Sequence, residues 1–101
     1  MGVLDGKVAI VTGSARGIGR ATAELLSEHG ANVVINDLDA DVAKQTAHEI
    51  AGDTAVYAGD LTRPGAPDEL VQTAMDAWGR IDIIVNNAGY TLDAPIHKMS
   101  D

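Results

Sequence analysis

The chain contains no cysteine, so it can form neither disulfide bonds nor thiolate metal sites. It also lacks phenylalanine and has only one Trp and two Tyr, so its core has to be built from Ala, Val, Ile and Leu. No stretch approaches the ~20 consecutive apolar residues of a membrane-spanning helix. The N-terminal residues show no apolar core typical of a secretory signal. We therefore expect no membrane segment and a cytoplasmic location.

Positive charge is scarce as well. Seven Lys and Arg stand against fifteen Asp and Glu, which gives a net charge of −8. A surface that binds nucleic acid or anionic lipid needs clustered positive charge, so we expect neither kind of partner. The three histidines are scattered at positions 29, 48 and 97 without metal-ligand spacing, so we expect no metal site.

Alternating apolar and helical patterns organise the whole chain. Strands are predicted over residues 7–11, 33–35, 54–58 and 81–85, and the intervening helices should stop at Gly30, Gly52 and Gly79. Such alternation predicts an α/β fold, in which a parallel sheet of order 3-2-1-4 carries helices on both faces as part of a doubly wound Rossmann sheet. A length of 101 residues suits one domain, residues 1–101, but is short for two complete βαβαβ halves.

Each predicted helix has an apolar face that should turn toward the sheet. We expect Asp39 or Asp41 to cap the second helix and Pro67 to occupy the first position of the third. The residues expected to point inward are Ile18, Ala21, Leu25 and Leu26 in the first helix, Ala43, Ala47, Ile50 and Ala51 in the second, and Leu70, Val71, Ala74, Met75 and Trp78 in the third.

A glycine-rich loop joins the first strand to the first helix, and it is the most informative segment of the chain. Gly13 allows a sharp turn off the strand, Gly17 lets the backbone approach a phosphate, and Gly19 lets the helix pack close to the sheet. The N-terminus of a helix carries unpaired N–H groups and partial positive charge, so it can hold an anion. The loop therefore predicts a pyrophosphate-binding turn for a dinucleotide.

Two acidic residues follow later strands. Asp37 comes at the end of the second strand, where a carboxylate can accept hydrogen bonds from the adenosine ribose, although a solvated loop acid is the alternative. Asp60 and Leu61 follow the third strand and could equally form an ordinary turn after Gly59.

The paired amides Asn86 and Asn87 follow the buried fourth strand, and because buried amides need partners we expect them to tie neighbouring loops together.

Three of these segments resemble motifs of the short-chain dehydrogenases/reductases. They are Thr-Gly-x-x-x-Gly-x-Gly at residues 12–19, Asp-Leu at 60–61 and Asn-Asn-Ala-Gly at 86–89. The resemblance covers essentially the whole chain. It implies that the Asp60 carboxylate meets the adenine amino group and that Leu61 covers the adenine ring. The residues expected to contact the cofactor are Gly13, Ser14, Ala15, Arg16, Gly17, Ile18, Gly19, Asp37, Leu38, Asp60, Leu61, Asn87, Ala88 and Gly89.

The choice between NAD and NADP depends on two charges that act in opposite directions. In the family that the chain resembles, a basic residue at the position of Arg16 often accompanies NADP. The 2′-phosphate of NADP carries close to two negative charges, and a unit charge pair at 4 Å is worth ~4 kcal/mol at an effective dielectric of 20. A carboxylate at Asp37 should repel that phosphate by more than a mobile Arg16 gains, so we predict NAD rather than NADP.

The resemblance implies an NAD(P)-dependent oxidoreductase that interconverts an alcohol and a ketone. The family's Tyr-x-x-x-Lys proton-donor pair does not occur in the chain, so these residues offer no recognisable catalytic group. We therefore assign no catalytic residue, expect the chain to be the front part of a longer, oligomeric enzyme, and expect the 101 residues alone to be inactive. Residues 88–93 resemble the corresponding stretch of 3-oxoacyl-carrier-protein reductases, which makes a 3-oxoacyl thioester the leading substrate. Two alternatives are a non-catalytic nucleotide-binding module and an adenosylmethionine-dependent methyltransferase.

Overall fold

The computed structural model describes residues 2–87 of the chain. Strands and helices alternate along this part as predicted. In chain order they are β1 (Val8–Val11), α1 (Gly17–Glu28), β2 (Asn32–Asp37), α2 (Ala40–Glu49), β3 (Thr54–Ala58), α3 (Ala66–Trp78) and β4 (Ile83–Val85). All strand pairs are parallel, and the order β3-β2-β1-β4 confirms the predicted topology.

The sheet separates two cores because successive side chains of a strand point to opposite faces. In β2, Val33 and Ile35 face one core while Val34 faces the other, and all three are fully buried. The first core contains the apolar residues of α1 and α2, and the second contains those of α3. Helices therefore cover both faces of the sheet, as expected for strands that are apolar at consecutive positions.

Helix ends follow the predicted signals. Gly30, directly after the cap of α1, has a φ of 102°, and Gly79 caps α3 with a φ of 75°. Both angles lie in the left-handed region that glycine adopts most readily. Asp39 is the residue that caps α2, and its side chain accepts hydrogen bonds from the N–H groups of Asp41 and Val42. Among residues 2–87, no helix combines the length and apolarity needed to cross a bilayer.

The inward face predicted for α1 is wrong. Ile18 is 79% exposed, Leu25 is 54% exposed and Ala21 is exposed as well, whereas Ala23 is fully buried. Of the predicted stripe, only Leu26 packs against the core. The reason is that α1 turns its small residues toward the sheet, because Gly19 has to lie against the backbone of the glycine loop and Ala23 follows one turn later on the same face.

Smaller differences concern single residues at the ends and edges of elements. Met75 is 41% exposed, because Leu70 and Ala74 already occupy the inward side of α3. Ala51 is exposed because α2 ends two residues earlier, before the predicted stop at Gly52. Pro67 occupies the second position of α3, which starts at residue 66.

The strand bounds also differ slightly from the predicted ones. Strand β1 omits residue 7, and β2 extends to residues 32–37. Strand β4 is shortened to residues 83–85 and is only half-buried.

Candidate functional site

The predicted site residues gather at the carboxyl edge of the sheet. The loops that follow β1, β2, β3 and β4 all start at this edge because the strands are parallel. The direction of strand succession reverses between β1 and β4, which is the switch point where open α/β sheets bind ligands. The glycine loop after β1 and the paired amides after β4 meet at this point.

The glycine loop adopts the backbone conformation that its sequence predicted. Gly13 has a φ of 60° and Gly17 a φ of 64°, both in the left-handed region. A Cβ built on Gly17 would meet nothing within 4 Å, so the loop is open to the outside at this residue. The turn off the strand at Gly13 and the exposed backbone at Gly17 therefore leave room for a ligand.

Close packing occurs at Gly19, as predicted. A Cβ built on Gly19 would collide with the carbonyl oxygen of Gly13 and would lie 2.6 Å from Nδ2 of Asn87. Real side chains do not approach so closely, so any larger residue here would push α1 away from the loop.

The first turn of α1 has neither a side-chain cap nor an acidic residue. Its N-cap is Arg16, in an extended conformation with no capping hydrogen bond from its side chain. Within residues 2–87, the hydrogen bonds of the structure leave the N–H groups of Arg16, Gly17 and Ile18 without an acceptor. Unpaired donors of this kind, together with the helix dipole, favour a bound anion.

Polar side chains from other elements hold the glycine loop in place. Asn36 is 2% exposed, and its Oδ1 accepts a hydrogen bond from the N–H of Gly13 at 3.2 Å while its Nδ2 donates to the carbonyl of Tyr57 at 2.9 Å. The N–H of Ser14 donates to the backbone carbonyl of Asn36 at 2.7 Å. Asn36 thereby connects the loop to β2 and β3.

Asn36 was missed as a site residue, and so was Thr46 of α2, whose hydroxyl donates to the carbonyl of Ala15 at 2.6 Å. The sequence contained one usable signal, an amide at the end of the otherwise apolar strand β2. Nothing in the sequence indicated that α2 reaches the loop, since Thr46 and Ala15 lie 31 positions apart.

The paired amides tie loops together, as predicted. The backbone N–H of Asn87 donates to Oγ1 of Thr12 at 2.8 Å, and its Nδ2 donates to the carbonyl of Gly13 at 3.2 Å. Thr12 in turn donates to Oδ1 of Asn86 at 3.2 Å. The segment after β4 is thus fastened to the glycine loop, while Ala88 and Gly89 lie outside the described residues.

Asp37 ends β2 next to the glycine loop. Its Oδ1 accepts a hydrogen bond from the N–H of Leu38 at 2.8 Å, and Leu38 itself is 62% exposed. Arg16 is also exposed, and among the described residues it takes part in no salt bridge. The two charges that bear on cofactor choice are therefore both accessible at this edge.

Asp60 forms the turn after β3. Its Oδ1 accepts hydrogen bonds from Oγ1 and from the N–H of Thr62, and these bonds, helped by the charge of Arg63, lower the pKa of the Asp60 carboxyl. Leu61 is only 4% exposed and packs in the core beside α3. Its side chain faces the interior, so the loop presents the backbone of Leu61 rather than its side chain to the outside.

Tyr57 on β3 contacts the loop after β3 through Arg63 and the start of α3 through Glu69. Its hydroxyl donates to Glu69 at 2.5 Å, next to Arg63, and partial burial followed by this carboxylate raises the pKa of Tyr57. The phenol therefore stays protonated near neutral pH and joins β3 to the start of α3.

A cleft also lies away from the carboxyl edge of the sheet. A cleft of about 560 Å³ opens between the last turns of α1 and α2, with Glu24, Glu28, Glu49 and Ser27 on its walls. Arg20 bridges Glu24 and Glu49, which raises the pKa of Arg20 and lowers the pKa of Glu49. None of the predicted site residues lines the cleft.

In the described part of the chain, no cluster of three or more His, Asp or Glu could hold a metal ion.

The chain belongs to the short-chain dehydrogenase family, whose model matches residues 7–101. It is 48% identical to a sorbitol dehydrogenase of Cereibacter sphaeroides over 97 residues, covering 96% of this chain and 38% of that protein. It is also 48% identical to a hydroxyacyl-CoA dehydrogenase of Mycobacterium tuberculosis, covering 97% of this chain and 33% of that protein. Family membership decides against the methyltransferase alternative.

A solved structure of a metagenomic short-chain oxidoreductase, in complex with NADP, is similar in fold. Its TM-score is 0.79 at 39% identity, and the match covers 86% of this chain and 41% of that one. The chain thus spans well under half the length of the proteins that it matches.

Proposed function

We propose that the chain is the dinucleotide-binding part, residues 1–101, of an NAD(P)-dependent oxidoreductase that interconverts an alcohol and a ketone. The observation that carries the proposal is the open first turn of α1, held at the switch point of the sheet by polar contacts from β2, α2 and the segment after β4. Because preorganised N–H donors need no rearrangement to receive an anion, this geometry suits a pyrophosphate.

Each predicted contact has a physical part in this proposal. Residues 13–19 would surround the pyrophosphate, with Ser14 and Ala15 shaping the turn and Ile18 covering it from its exposed position. Asp37 and Leu38 would contact the adenosine ribose. Asp60 and Leu61 would lie beside the adenine, and Asn87, Ala88 and Gly89 would approach the second ribose.

We further propose NAD as the preferred cofactor. The carboxylate of Asp37 lies at the end of β2 without an ion-pair partner among residues 2–87, so its charge is available to repel a 2′-phosphate. Arg16 acts in the opposite direction, and the NADP complex of the metagenomic relative is a reason to test both cofactors. We expect the fixed carboxylate to outweigh the mobile guanidinium.

For the substrate we propose a 3-oxoacyl thioester or the corresponding 3-hydroxyacyl thioester. Support comes from the likeness of residues 88–93 to 3-oxoacyl-carrier-protein reductases and from the hydroxyacyl-CoA dehydrogenase among the relatives. The sorbitol dehydrogenase among them makes a polyol the competing substrate. The proton donor for either reaction would have to come from outside these 101 residues.

A non-catalytic nucleotide-binding module is the second candidate, because no Tyr-x-x-x-Lys pair occurs in the sequence. It differs from the first candidate in one respect only. Both would bind NADH, but the module would show no turnover in any form of the protein.

The deciding experiment is a fluorescence titration of the intact protein with NADH and with NADPH, followed by steady-state assays with a 3-oxoacyl thioester and with sorbitol. Binding with turnover supports the oxidoreductase, and binding without turnover supports the module. If neither dinucleotide binds, the proposed function is wrong.

A further inference from the structure

One hydrogen bond connects the middle of the glycine loop to a helix that is distant in sequence. The hydroxyl of Thr46, in the second turn of α2, donates to the carbonyl oxygen of Ala15 at 2.6 Å. Both residues are almost fully buried, at 1% exposure each. A short bond in a buried environment is stronger than one in water and costly to lose.

The other threonines within helices behave differently. Thr22 in α1 donates to the carbonyl of Ile18, and Thr73 in α3 donates to the carbonyl of Glu69, each four residues earlier in its own helix. This local bond is the usual choice for a helical threonine. Thr46 instead directs its hydroxyl out of α2 and into the glycine loop.

The bond determines the orientation of the following N–H group. A trans peptide unit is planar, with its C=O and N–H pointing in opposite directions, and the described part of the chain contains no cis peptide bond. Because Thr46 holds the carbonyl of Ala15, the N–H of Arg16 in the same peptide unit must point away from α2. That N–H is one of the unpaired donors at the start of α1.

The remaining contacts of the loop leave this peptide unit untouched. Asn36 holds Gly13 and Ser14, and Asn87 holds Gly13. No other hydrogen bond among residues 2–87 reaches the carbonyl of Ala15. Without the Thr46 hydroxyl this buried carbonyl would lose its partner, and the peptide would gain by rotating toward water.

We propose that Thr46 is a positioning residue for the dinucleotide, one that orients the Arg16 N–H toward the bound pyrophosphate through the Ala15 carbonyl. The inference rests on the proposed function, because it supposes that a dinucleotide binds at the glycine loop. It adds a role for α2, which contributes to binding although it does not touch the ligand.

The test compares NADH affinity in Thr46→Val, Thr46→Ser and a matched control, Thr54→Val. Thr54 also donates to a backbone carbonyl, that of Ala47 at 3.3 Å, but it joins α2 to β3 away from the loop. Thr46→Val, which keeps the shape and removes the hydroxyl, should weaken NADH about tenfold, the size of one lost hydrogen bond. Thr46→Ser, which keeps the hydroxyl, should bind NADH within about twofold of wild type, as should Thr54→Val.

A measurement on the wild-type protein makes the test independent of variant folding. In amide NMR spectra, saturating NADH should shift the Arg16 N–H strongly, while the N–H of Asp41, already bonded to Asp39 in α2, should hardly move. An unshifted Arg16 amide would overturn the role of Thr46, and so would equal losses in the Thr46→Val and Thr54→Val variants. If wild type binds neither NADH nor NADPH, the proposed function itself fails, and the role of Thr46 fails with it.

Discussion

Helices α1 and α2 begin at the same edge of the sheet, after adjacent strands, but their first turns differ. In α2, Oδ1 of Asp39 accepts hydrogen bonds from the N–H groups of Asp41 and Val42 at 3.0 and 3.2 Å. Asp41 adds a negative charge where the helix dipole is positive. In α1, Arg16 provides no side-chain cap, and the first turn contains no acid. The end of α2 is satisfied within the protein, whereas the end of α1 is left available to a ligand.

Helix α3 shows that the missing cap alone is not the distinguishing feature. Its N-cap is Gly65, which also provides no side-chain hydrogen bond, but Asp68 and Glu69 place negative charge in its first turn. Of the three helices described, only α1 lacks both a side-chain cap and an acid. A side-chain cap is typically worth ~1 kcal/mol, so α1 forgoes this stabilisation and keeps its first N–H groups available.

The largest effect should come from Gly17→Val. At a φ of 64°, valine is strained, and its side chain would project into the open space in front of the first turn. We expect NADH affinity to fall by more than about a hundredfold, while circular dichroism shows the same fold. Titration of both proteins with NADH measures this.

Gly65→Val is the matched control for Gly17→Val. Gly65 lies at the start of α3 with a φ of 84° and open space around it, so the backbone strain is of the same kind. Both variants should lose similar stability, but Gly65→Val should keep NADH binding. Equal loss of binding in the two variants would mean that strain, rather than the approach of a phosphate, explains the effect.

The next largest effect concerns Asp37, which should determine the preference between NAD and NADP. Asp37→Ser removes the charge that should repel a 2′-phosphate and leaves Arg16 to attract it. We expect the ratio of NADPH to NADH affinity to rise by at least about tenfold, since one charge interaction at close range is worth more than 1.4 kcal/mol even in a partly solvated site. A wild-type protein that already binds NADPH more tightly would show that Arg16 dominates and that our preference for NAD is wrong.

The sequence was sufficient to predict the features that depend on local chemistry. Alternating patterns and turn residues located the strands and helices, and the sheet order followed from general rules of βαβ topology. The glycine loop was recognised because Gly13, Gly17 and Gly19 lie between a strand and a helix. In the structure Gly13 and Gly17 have the left-handed backbone and Gly19 packs closely against Gly13, while the approach of Gly17 to a phosphate stays a prediction.

Features that depend on the contact of distant segments were not predictable in this way. Apolar periodicity placed Ile18 and Leu25 in the core, but the close approach of Gly19 to Gly13 turns a different face of α1 inward. Periodicity measures how apolar a face is, whereas packing depends on how closely two backbones have to approach. The contacts of Asn36 and Thr46 with the loop are specified only by the folded positions of β2 and α2.

A moderate effect should follow from making α1 resemble α2. Ile18→Asp places a carboxylate in the first turn of α1, at an exposed position where no core contact is lost. The charge should stabilise the free protein by ~0.3–1 kcal/mol through the helix dipole. It should also weaken NADH about tenfold by repelling the pyrophosphate.

Leu25→Asp is the matched control for Ile18→Asp, because it replaces another exposed apolar residue of the same helix near the opposite end. There the dipole is negative, so the carboxylate should reduce stability slightly and leave NADH affinity unchanged. Thermal unfolding and NADH titration of both variants give the two readouts. Unchanged affinity in Ile18→Asp would contradict an anion site at α1.

The smallest effect, and the one that completes the comparison, concerns the cap of α2. Asp39→Ala leaves the N–H groups of Asp41 and Val42 unpaired, so the free energy of unfolding in urea should fall by ~1 kcal/mol. Asp39→Asn keeps an oxygen acceptor and should retain most of that stability, which separates the hydrogen bonds from the charge. NADH affinity should stay within about twofold of wild type in both variants, because the ligand is expected at α1. A marked loss of NADH binding in Asp39→Ala, with binding kept in Asp39→Asn, would mean that the start of α2 takes part in the site and that the two helix ends do not differ in function.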